Sequence, residues 1–394
     1  MNERQDAEST PLSILCVIHS LDGGGAERVM AGLASRLARR QHRVTLVTYA
    51  DTGGDRYPLD PEVRRRCLEL RHDATWRPGK WMQVRRRHRA VARVMASESP
   101  DVVLSFCDRN NIDVLMSASR RSPPIVICER SDPAQQSLGM LWNSLRRRVY
   151  HRSSSAIALT ETSARFLRRL CDRVIVIPSA VDPPPLESDR VAAAERKTIV
   201  GVGRLEPEKG FDRLIEAFAG FSEQDASWRL LIYGEGSERE QLLQQADQLG
   251  IADRVALPGW VRPIWQPLSE ATVFCLPSRY EGFPSALLEA MALGVPCISV
   301  DCESGPRAII QHGMNGLLVE PSVEGLREGL QRWVNEPAER ERLGRAGRSV
   351  VEDFGWDAMV DAYEQELRTV VRSRQTPRER SSRPLLRWLR WWTG

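Results

Sequence analysis

Two glutamates, Glu281 and Glu289, lie eight positions apart in a segment that reads YEGFPSALLEAM over residues 280–291. Pro284 is suited to the first turn of a helix, which places Glu281 in the preceding turn and Glu289 within the helix. Free backbone N–H groups at such a helix start bind a phosphate. The sequence neighbours of Glu289 are apolar, and a carboxylate buried among them needs a polar partner such as the hydroxyl groups of a ribose. The alternative is that Glu289 lies on an exposed face of the helix.

A glycine-rich segment, GVGRLEPEKG over residues 201–210, carries two cations between a predicted strand and a predicted helix. Its glycines allow a ligand to approach the backbone. Arg204 offers a planar fork of donors and Lys209 a mobile point charge, and this combination suits a diphosphate. The alternative is a glycine turn with two solvated cations.

A second glycine turn, HSLDGGGAERV over residues 19–29, joins a predicted strand to a predicted helix in the first half of the chain. It lacks the G-x-G-x-x-G pattern of a nicotinamide dinucleotide site, and no Gly-Lys-Ser/Thr follows as in a P-loop. His19 ends the strand beside this turn. We expect it either to meet the acceptor or to be a capped, hydrogen-bonded residue.

Short apolar runs alternate with helical segments on both sides of a proline-rich stretch. The predicted strands are 13–18, 44–48, 102–106, 125–128, 156–159 and 174–177, then 198–202, 230–233, 255–257, 273–276 and 297–300. This alternation predicts an α/β protein with parallel sheets covered by helices on both faces. We predict two doubly wound, Rossmann-like domains, residues 1–182 and 198–367, facing each other across a cleft and joined by a linker at 183–197. Ligands of such folds bind beyond the carboxyl ends of the strands, which is where the cleft lies.

The composition is that of a soluble globular protein. The 394 residues are 42% apolar and 27% charged, with a formal net charge of +4, and the basic residues are too spread out to indicate a nucleic-acid partner. The eight cysteines have no metal-ligand spacing, and we expect buried free thiols in a reducing cytoplasm. The first ten residues lack the pattern of a signal peptide, and no apolar run is long enough to span a membrane.

These segments, in this order and spacing, closely resemble glycosyltransferase family 4, the retaining glycosyltransferases of the GT-B fold. The resemblance covers residues 13–367. Glu281 and Glu289 match the family's Glu-x7-Glu motif within EGFPSALLEAMALGVP, GRLEPEKG matches its phosphate-binding segment, and GGGAERV is similar to its N-terminal glycine loop. SGPRAIIQHGMNGLLVEP resembles a segment of members that act on bacterial surface polysaccharides. The chain departs from the pattern at residues 177–182, where IPSAVD replaces Ile-Pro-Asn-Gly-Val-Asp at the hinge.

The resemblance implies transfer of a hexosyl or N-acetylhexosaminyl group, with retained configuration, from a UDP-sugar to a lipid-linked or polysaccharide-precursor acceptor. Residues 1–182 would hold the acceptor and residues 198–367 the nucleotide sugar. It further implies that Arg204 and Lys209 bind the diphosphate and stabilise charge on the leaving nucleotide, that Glu281 contacts the sugar, and that Glu289 holds the ribose. Neither a metal nor a cofactor is expected, because two cations and a helix terminus face the diphosphate. The other implied donor-binding residues lie in the glycine turns, the motif and the base pocket: Gly24, Gly25, Gly203, Gly234, Gly236, Pro258, Gly259, Gly282, Phe283 and Ser285.

Many family members place a histidine or an acid after a strand of the first domain, near the transferred sugar. Here that place reads CERSD over residues 128–132. Glu129 is a candidate for the chemistry and Arg130 for the acceptor side. The alternative for both is a structural ion pair in the wall of the cleft.

Other functions of a similar fold agree less well with these residues. An epimerase needs acid and base residues around the sugar, and a phosphorylase of this type needs a pyridoxal lysine; neither signature stands out. A non-catalytic nucleotide-sugar-binding protein is disfavoured because Arg204, Lys209, Glu281 and Glu289 occur together.

The last part of the chain, residues 368–394, predicts a basic amphipathic tail. From residue 372 onward the stretch has seven arginines and one acid, Glu379: Arg372, Arg374, Arg378, Arg380, Arg383, Arg387 and Arg390. At helical spacing one face would be apolar: Leu385, Trp388, Leu389 and Trp392. Such a helix lies in a membrane interface and is too short to span. We expect a cytoplasmic, peripheral protein that contacts anionic lipid through residues 372–392, from Arg372 to Trp392, widened by residues 85–89 and 141–148. The alternative is a disordered tail or one docked on a partner protein.

Overall fold

The computed structural model describes residues 10–70, 80–185, 190–223 and 225–375, which form two parallel β-sheets flanked by helices. The first sheet has the strand order β3-β2-β1-β4-β5-β6-β7. Its strands are β1 (Ser13–Ile18), β2 (Arg43–Thr48), β3 (Arg64–Cys67), β4 (Val102–Phe106), β5 (Ile125–Cys128), β6 (Ser155–Ala158) and β7 (Val174–Val176). Neighbouring strands are parallel throughout this sheet. β1 is completely buried between the two helical layers, as its continuous apolar run predicts.

The second sheet has the strand order β10-β9-β8-β11-β12-β13, again with parallel neighbours. Its strands are β8 (Thr198–Val202), β9 (Arg229–Tyr233), β10 (Val255–Gly259), β11 (Val273–Leu276), β12 (Cys297–Val300) and β13 (Leu317–Val319). Because each strand is followed by a crossover, all carboxyl ends of one sheet lie at one edge, and this edge faces the other domain.

Helices connect the strands within both domains. Those of the first half are α1 (Gly25–Arg39), α2 (Lys80–Glu98), α3 (Asp108–Ser117), α4 (Met140–Val149), α5 (Glu161–Leu167) and α6 (Arg190–Glu195). Those of the second half are α7 (Phe211–Ser222), α8 (Arg239–Gln248), α9 (Trp265–Ser269), α10 (Ser285–Ala292), α11 (Val323–Asn335), α12 (Pro337–Gly347), α13 (Val350–Asp353) and α14 (Trp356–Gln375).

Two connections join the domains. The chain leaves the first domain through residues 177–185, and α6 lies within the stretch that the sequence assigns to the linker. The chain returns through α14, which packs on α1 and β4 of the first domain. Tyr363 of α14 is fully buried there, with its ring centroid 6.0 Å from that of Phe106. α14, the last helix of the described residues, is therefore part of the core of the first domain.

α14 extends to Gln375, so the first residues of the predicted tail belong to this helix. The proposed apolar face of the tail, from Leu385 to Trp392, lies outside the described residues. The eight cysteines are free thiols, and six of them are buried: Cys16, Cys128, Cys171, Cys275, Cys297 and Cys302.

Candidate active site between the two domains

Glu281 lies in the turn between β11 and α10, at the carboxyl edge of the second sheet. Its carboxylate is 7% exposed, and Oε1 accepts hydrogen bonds from Lys209 Nζ at 2.6 Å and from Ser278 Oγ at 2.7 Å. A buried carboxylate with a short ammonium contact is a charge-assisted pair in a water-poor site. The two residues that the sequence links to the sugar and to the diphosphate are thus in direct contact.

The Lys209 side chain is held by a short 3-10 turn, Pro207–Lys209, after β8. Gly210 ends this turn with φ of 66°, in the left-handed region that favours glycine, and its added Cβ would meet the Pro277 carbonyl at 2.3 Å. Arg204 leaves the same loop but is more exposed, and its Nη2 lies 2.6 Å from Glu208 Oε1. Lys209 is therefore fixed at the site, whereas Arg204 stays at the rim.

Backbone segments pack against each other at the carboxyl ends of β8, β9 and β10, where only glycine fits. A Cβ on Gly234 would lie 1.8 Å from the Gly203 carbonyl, and one on Gly236 would lie 2.3 Å from the Leu205 carbonyl. Gly234 N–H donates to the Gly259 carbonyl at 2.9 Å. Pro258, the residue before Gly259, is exposed. These contacts leave main chain, rather than side chains, at the edge where the base pocket is expected.

The start of α10 faces the glycine loop of the first domain. A Cβ on Gly25, the first residue of α1, would lie 3.4 Å from Ser285 Oγ, at the start of α10. A Cβ on Gly282 would clash with the Arg130 carbonyl at 2.4 Å. The N-termini of two helices, one from each domain, therefore point into the same space, and both favour an anion there.

Glu27, in the first turn of α1, is a carboxylate that the sequence did not single out. It curls back over Gly24, whose added Cβ would lie 2.2 Å from Glu27 Oε2. Burial raises the pKa of Glu27, while Arg204 and Arg130 act in the opposite direction. The acidic side chain occupies the start of α1 and faces both of these cations.

Glu289 lies inside α10 and is 6% exposed, so the alternative of an exposed helix face is wrong. Its Oε1 is 3.9 Å from Nε of Arg28, a residue of α1 that is itself 8% exposed. Arg28 also donates from Nη2 to the Ala180 carbonyl at 3.0 Å. The motif helix of the second domain is thus paired with the glycine-loop helix of the first. Phe283, between the two glutamates, packs edge-on against Phe354 with centroids 5.3 Å apart.

The structure places Glu129 inside the first domain, where it is 1% exposed. The Tyr150 hydroxyl donates to Glu129 Oε1, and burial together with the nearby Asp108 raises the pKa of Glu129 to about 7. Arg130 donates from Nη2 to Ser179 Oγ at 2.6 Å, and its guanidinium lies 5.2 Å from the centre of the Phe106 ring. These contacts are hydrogen bonds and a cation–aromatic contact rather than the ion pair named as the alternative, and the part of both residues in the chemistry stays a prediction.

His19 is anchored by its backbone at the end of β1. Its carbonyl accepts hydrogen bonds from Tyr49 N at 3.0 Å and Ala50 N at 2.9 Å, and its ring stacks beside that of Tyr49 with centroids 6.3 Å apart. These bonds hold the backbone of His19 rather than its imidazole, so both expectations for the side chain, a hydrogen-bonded residue or a contact with the acceptor, stay predictions.

Two cation–aromatic contacts across the mouth of the cleft were not predicted. The Arg56 guanidinium of the first domain lies 4.0 Å from the Trp260 ring of the second, and that of Arg262 lies 4.8 Å from the Tyr57 ring of the first. The Tyr57 hydroxyl also donates to the Gly24 carbonyl at 3.0 Å. Trp260 directly follows Pro258 and Gly259 of the expected base pocket, whereas no motif marks Tyr57, and no spacing rule reports a contact between the two loops.

No group of three histidine, cysteine, aspartate or glutamate side chains is arranged to hold a metal ion within the described ranges. Likewise, none of the described helices is both long and apolar enough to cross a bilayer.

Sequence comparisons agree with this architecture. The profile of "Glycosyltransferase Family 4" matches residues 23–184, and that of "Glycosyl transferases group 1" matches residues 186–350. The chain belongs to glycosyltransferase family 4. Its two facing parallel-sheet domains form the GT-B fold, as the sequence predicts.

Solved and curated proteins fit this assignment. Alr3699/HepE of Anabaena, in complex with UDP and glucose, shares the fold with a TM-score of 0.76 at 17% identity, covering 90% of this chain and 99% of that one. An N-acetyl-D-galactosaminyltransferase of Campylobacter jejuni is 27% identical over 87% of this chain and 94% of its own length. The lipopolysaccharide 1,6-galactosyltransferase of Salmonella typhimurium is 40% identical over 37% of this chain and 40% of its own. The chain also spans only 24% and 51% of the length of two other curated relatives that it matches.

Proposed function

We propose that this family 4 chain transfers a sugar, with retained anomeric configuration, from a UDP-sugar to a lipid-linked glycan of bacterial surface-polysaccharide synthesis. The observation that carries the proposal is the contact of Lys209 with Glu281 at the carboxyl edge of the second sheet, opposite the glycine loop of the first. An ammonium group beside a carboxylate is complementary to a ligand in which an anionic diphosphate is bonded to a neutral sugar: the cation would bind the diphosphate and the carboxylate the sugar hydroxyls.

Lys209 and the N-terminus of α10 would receive the diphosphate, since the Glu27 carboxylate already occupies the start of α1. In the unliganded site Lys209 is neutralised by Glu281, so a phosphate that takes over the ammonium frees the Glu281 carboxylate to accept from sugar hydroxyls. As the bond to the sugar breaks, negative charge grows on the leaving UDP. The same ammonium and N–H groups stabilise this charge, and Arg204 reaches it from the rim.

The names of similar proteins support the donor and the acceptor. The solved Anabaena protein holds UDP and glucose. The Campylobacter jejuni relative is named for an undecaprenol-diphosphate-linked glycan. A lipid-linked acceptor would also give a reason for the basic amphipathic sequence at the end of the chain.

We further propose that the protein is peripheral on the inner face of the cell membrane. The strands β5, β6 and β7 begin at one edge of the first sheet, opposite the cleft, and exposed arginines surround it: Arg120, Arg121, Arg147, Arg148, Arg152 and Arg169. Arg374, near the end of α14, donates to the Arg120 carbonyl at 3.5 Å. Residues 376–394 therefore follow directly after a basic edge, and each cation near an anionic surface adds about 1 kcal/mol.

The test is a screen of UDP-sugars against the membrane lipid fraction of the source cell, with released UDP as the readout. We expect one donor to give UDP release that depends on added lipid, together with a glycolipid one sugar heavier. A protein that binds UDP tightly but releases none with any donor and lipid would be a binding protein, and the proposal would be wrong.

A further inference from the structure

Arg28, on the glycine-loop helix, contacts two other parts of the molecule that are far from it in sequence. Its side chain is 8% exposed. Nη2 donates to the Ala180 carbonyl at 3.0 Å, Nη1 lies 3.6 Å from Asp182 Oδ2, and Nε lies 3.9 Å from Glu289 Oε1. The glycine-loop helix, the segment that leaves the first domain and the motif helix of the second domain therefore meet at one guanidinium.

Arg28 and Glu289 are both buried, whereas Asp182 is 45% exposed. Removing a charge from water costs several kcal/mol unless a partner compensates for it, so Glu289 and Arg28 depend on each other. The 3.9 Å separation is too long for a hydrogen bond, and Nε makes none within the described residues. The Arg28–Glu289 pair is therefore an electrostatic contact without a hydrogen bond, whereas Lys209 and Glu281 are hydrogen-bonded at 2.6 Å.

The segment that Arg28 holds is also tied to the returning chain. Val181 N–H donates to the Phe354 carbonyl at 2.9 Å, and the Phe354 ring packs on Phe283 of the motif. Both chain crossings between the domains thus lie beside Arg28.

We propose that Arg28 is the positioning residue for Glu289. The inference rests on the proposed role of Glu289 in holding the donor ribose. Arg28 attracts one oxygen of the carboxylate, which fixes its direction and leaves the other oxygen to accept from ribose hydroxyls. Arg28 itself does not contact the nucleotide.

A double-mutant cycle on UDP affinity tests this, measured by calorimetry on the full chain with Arg28→Met, Glu289→Gln and the combination. Arg36→Met is the matched control, because Arg36 lies on the same helix and pairs with Asp182 at 3.0 Å without an ion pair to Glu289. We expect each of the first two variants to weaken UDP by about tenfold, and the combination also by about tenfold rather than a hundredfold. Arg36→Met should bind UDP within about twofold of the wild type. Added to Glu289→Gln, it should likewise change UDP affinity by no more than about twofold.

The cycle distinguishes failure of the positioning role of Arg28 from failure of the ribose role of Glu289. Independent, multiplying effects of Arg28→Met and Glu289→Gln would overturn the positioning role while leaving the ribose role intact. Unchanged UDP affinity in Glu289→Gln would instead refute the ribose role, and the present inference with it. If Arg28→Met does not fold, Arg28→Lys replaces it in the same cycle, with the same criterion of non-additivity.

Discussion

Replacing the buried Glu129 by glutamine should change how the stability of the protein depends on pH. The pKa of Glu129 is raised from an ordinary 4.5 to about 7 in the folded protein, first by burial and then by Asp108. Between these two values the folded protein holds a proton that the unfolded chain has lost. The stability that this proton supplies is fully present below pH 4.5 and is lost as the pH rises through about 7.

The size of the effect follows from the two pKa values of Glu129. A difference of about 2.5, at about 1.4 kcal/mol for each pKa unit, gives about 3.5 kcal/mol in total, of which about 3 kcal/mol falls between pH 4.5 and pH 8. Glutamine keeps the shape and still accepts the hydrogen bond from Tyr150, but it carries no charge at any pH. The stability of Glu129→Gln relative to the wild type should therefore rise by up to about 3 kcal/mol from pH 4.5 to pH 8, or about 6–12 °C in Tm.

The assay is thermal unfolding of both proteins across this pH range. Glu62→Gln is the control, because Glu62 is an exposed glutamate of the same domain. Parallel Tm profiles for Glu129→Gln and the wild type would refute the reasoning. The same variant also separates the two interpretations of Glu129, since retained transfer activity would assign it a structural role.

Three further predictions concern the donor site and the end of the chain. Lys209→Ala should slow transfer by about 100-fold or more while the protein stays folded, because one contact to a developing charge contributes about 3 kcal/mol; wild-type turnover in a folded variant would contradict the assignment. Glu281→Ala should lower turnover more than UDP affinity, whereas Glu289→Ala should weaken UDP itself, and calorimetry beside initial rates distinguishes the two; the same UDP affinity in both variants as in the wild type would rule out the ribose contact. A chain ending at Arg374 should remain in the soluble fraction when the full chain floats with anionic liposomes at low salt, and equal behaviour of the two chains would exclude a role for the tail.

The sequence predicted most strands because buried parallel strands are continuous apolar runs with sharp ends. It missed β3 (Arg64–Cys67), whose sequence RRRC has no apolar pattern because it lies at the edge of the sheet with alternate side chains exposed. It also missed β13 (Leu317–Val319), a strand of only three residues at the edge of the second sheet, next to β12. Edge strands need less apolar surface, so pattern alone is a weak guide to them.

The site was predicted where motifs report backbone geometry, and missed where side chains meet across domains. The turns around Gly210 and Gly234 require glycine for reasons that are local and visible in sequence. The pairing of Arg28 with Glu289 joins residues from opposite domains, and no spacing rule reports it. The burial of Glu129 is equally non-local, because it depends on Tyr150, which comes from a later helix turn.

Proton NMR of the anomeric centre formed by this protein tests the central claim most directly. The protein is supplied with a UDP-α-sugar labelled at its anomeric carbon and with the lipid fraction that supports UDP release, and the new linkage is assigned in the product. The account predicts an α-linked sugar and one UDP released for each linkage formed. A β-linked product from the α-donor would contradict it.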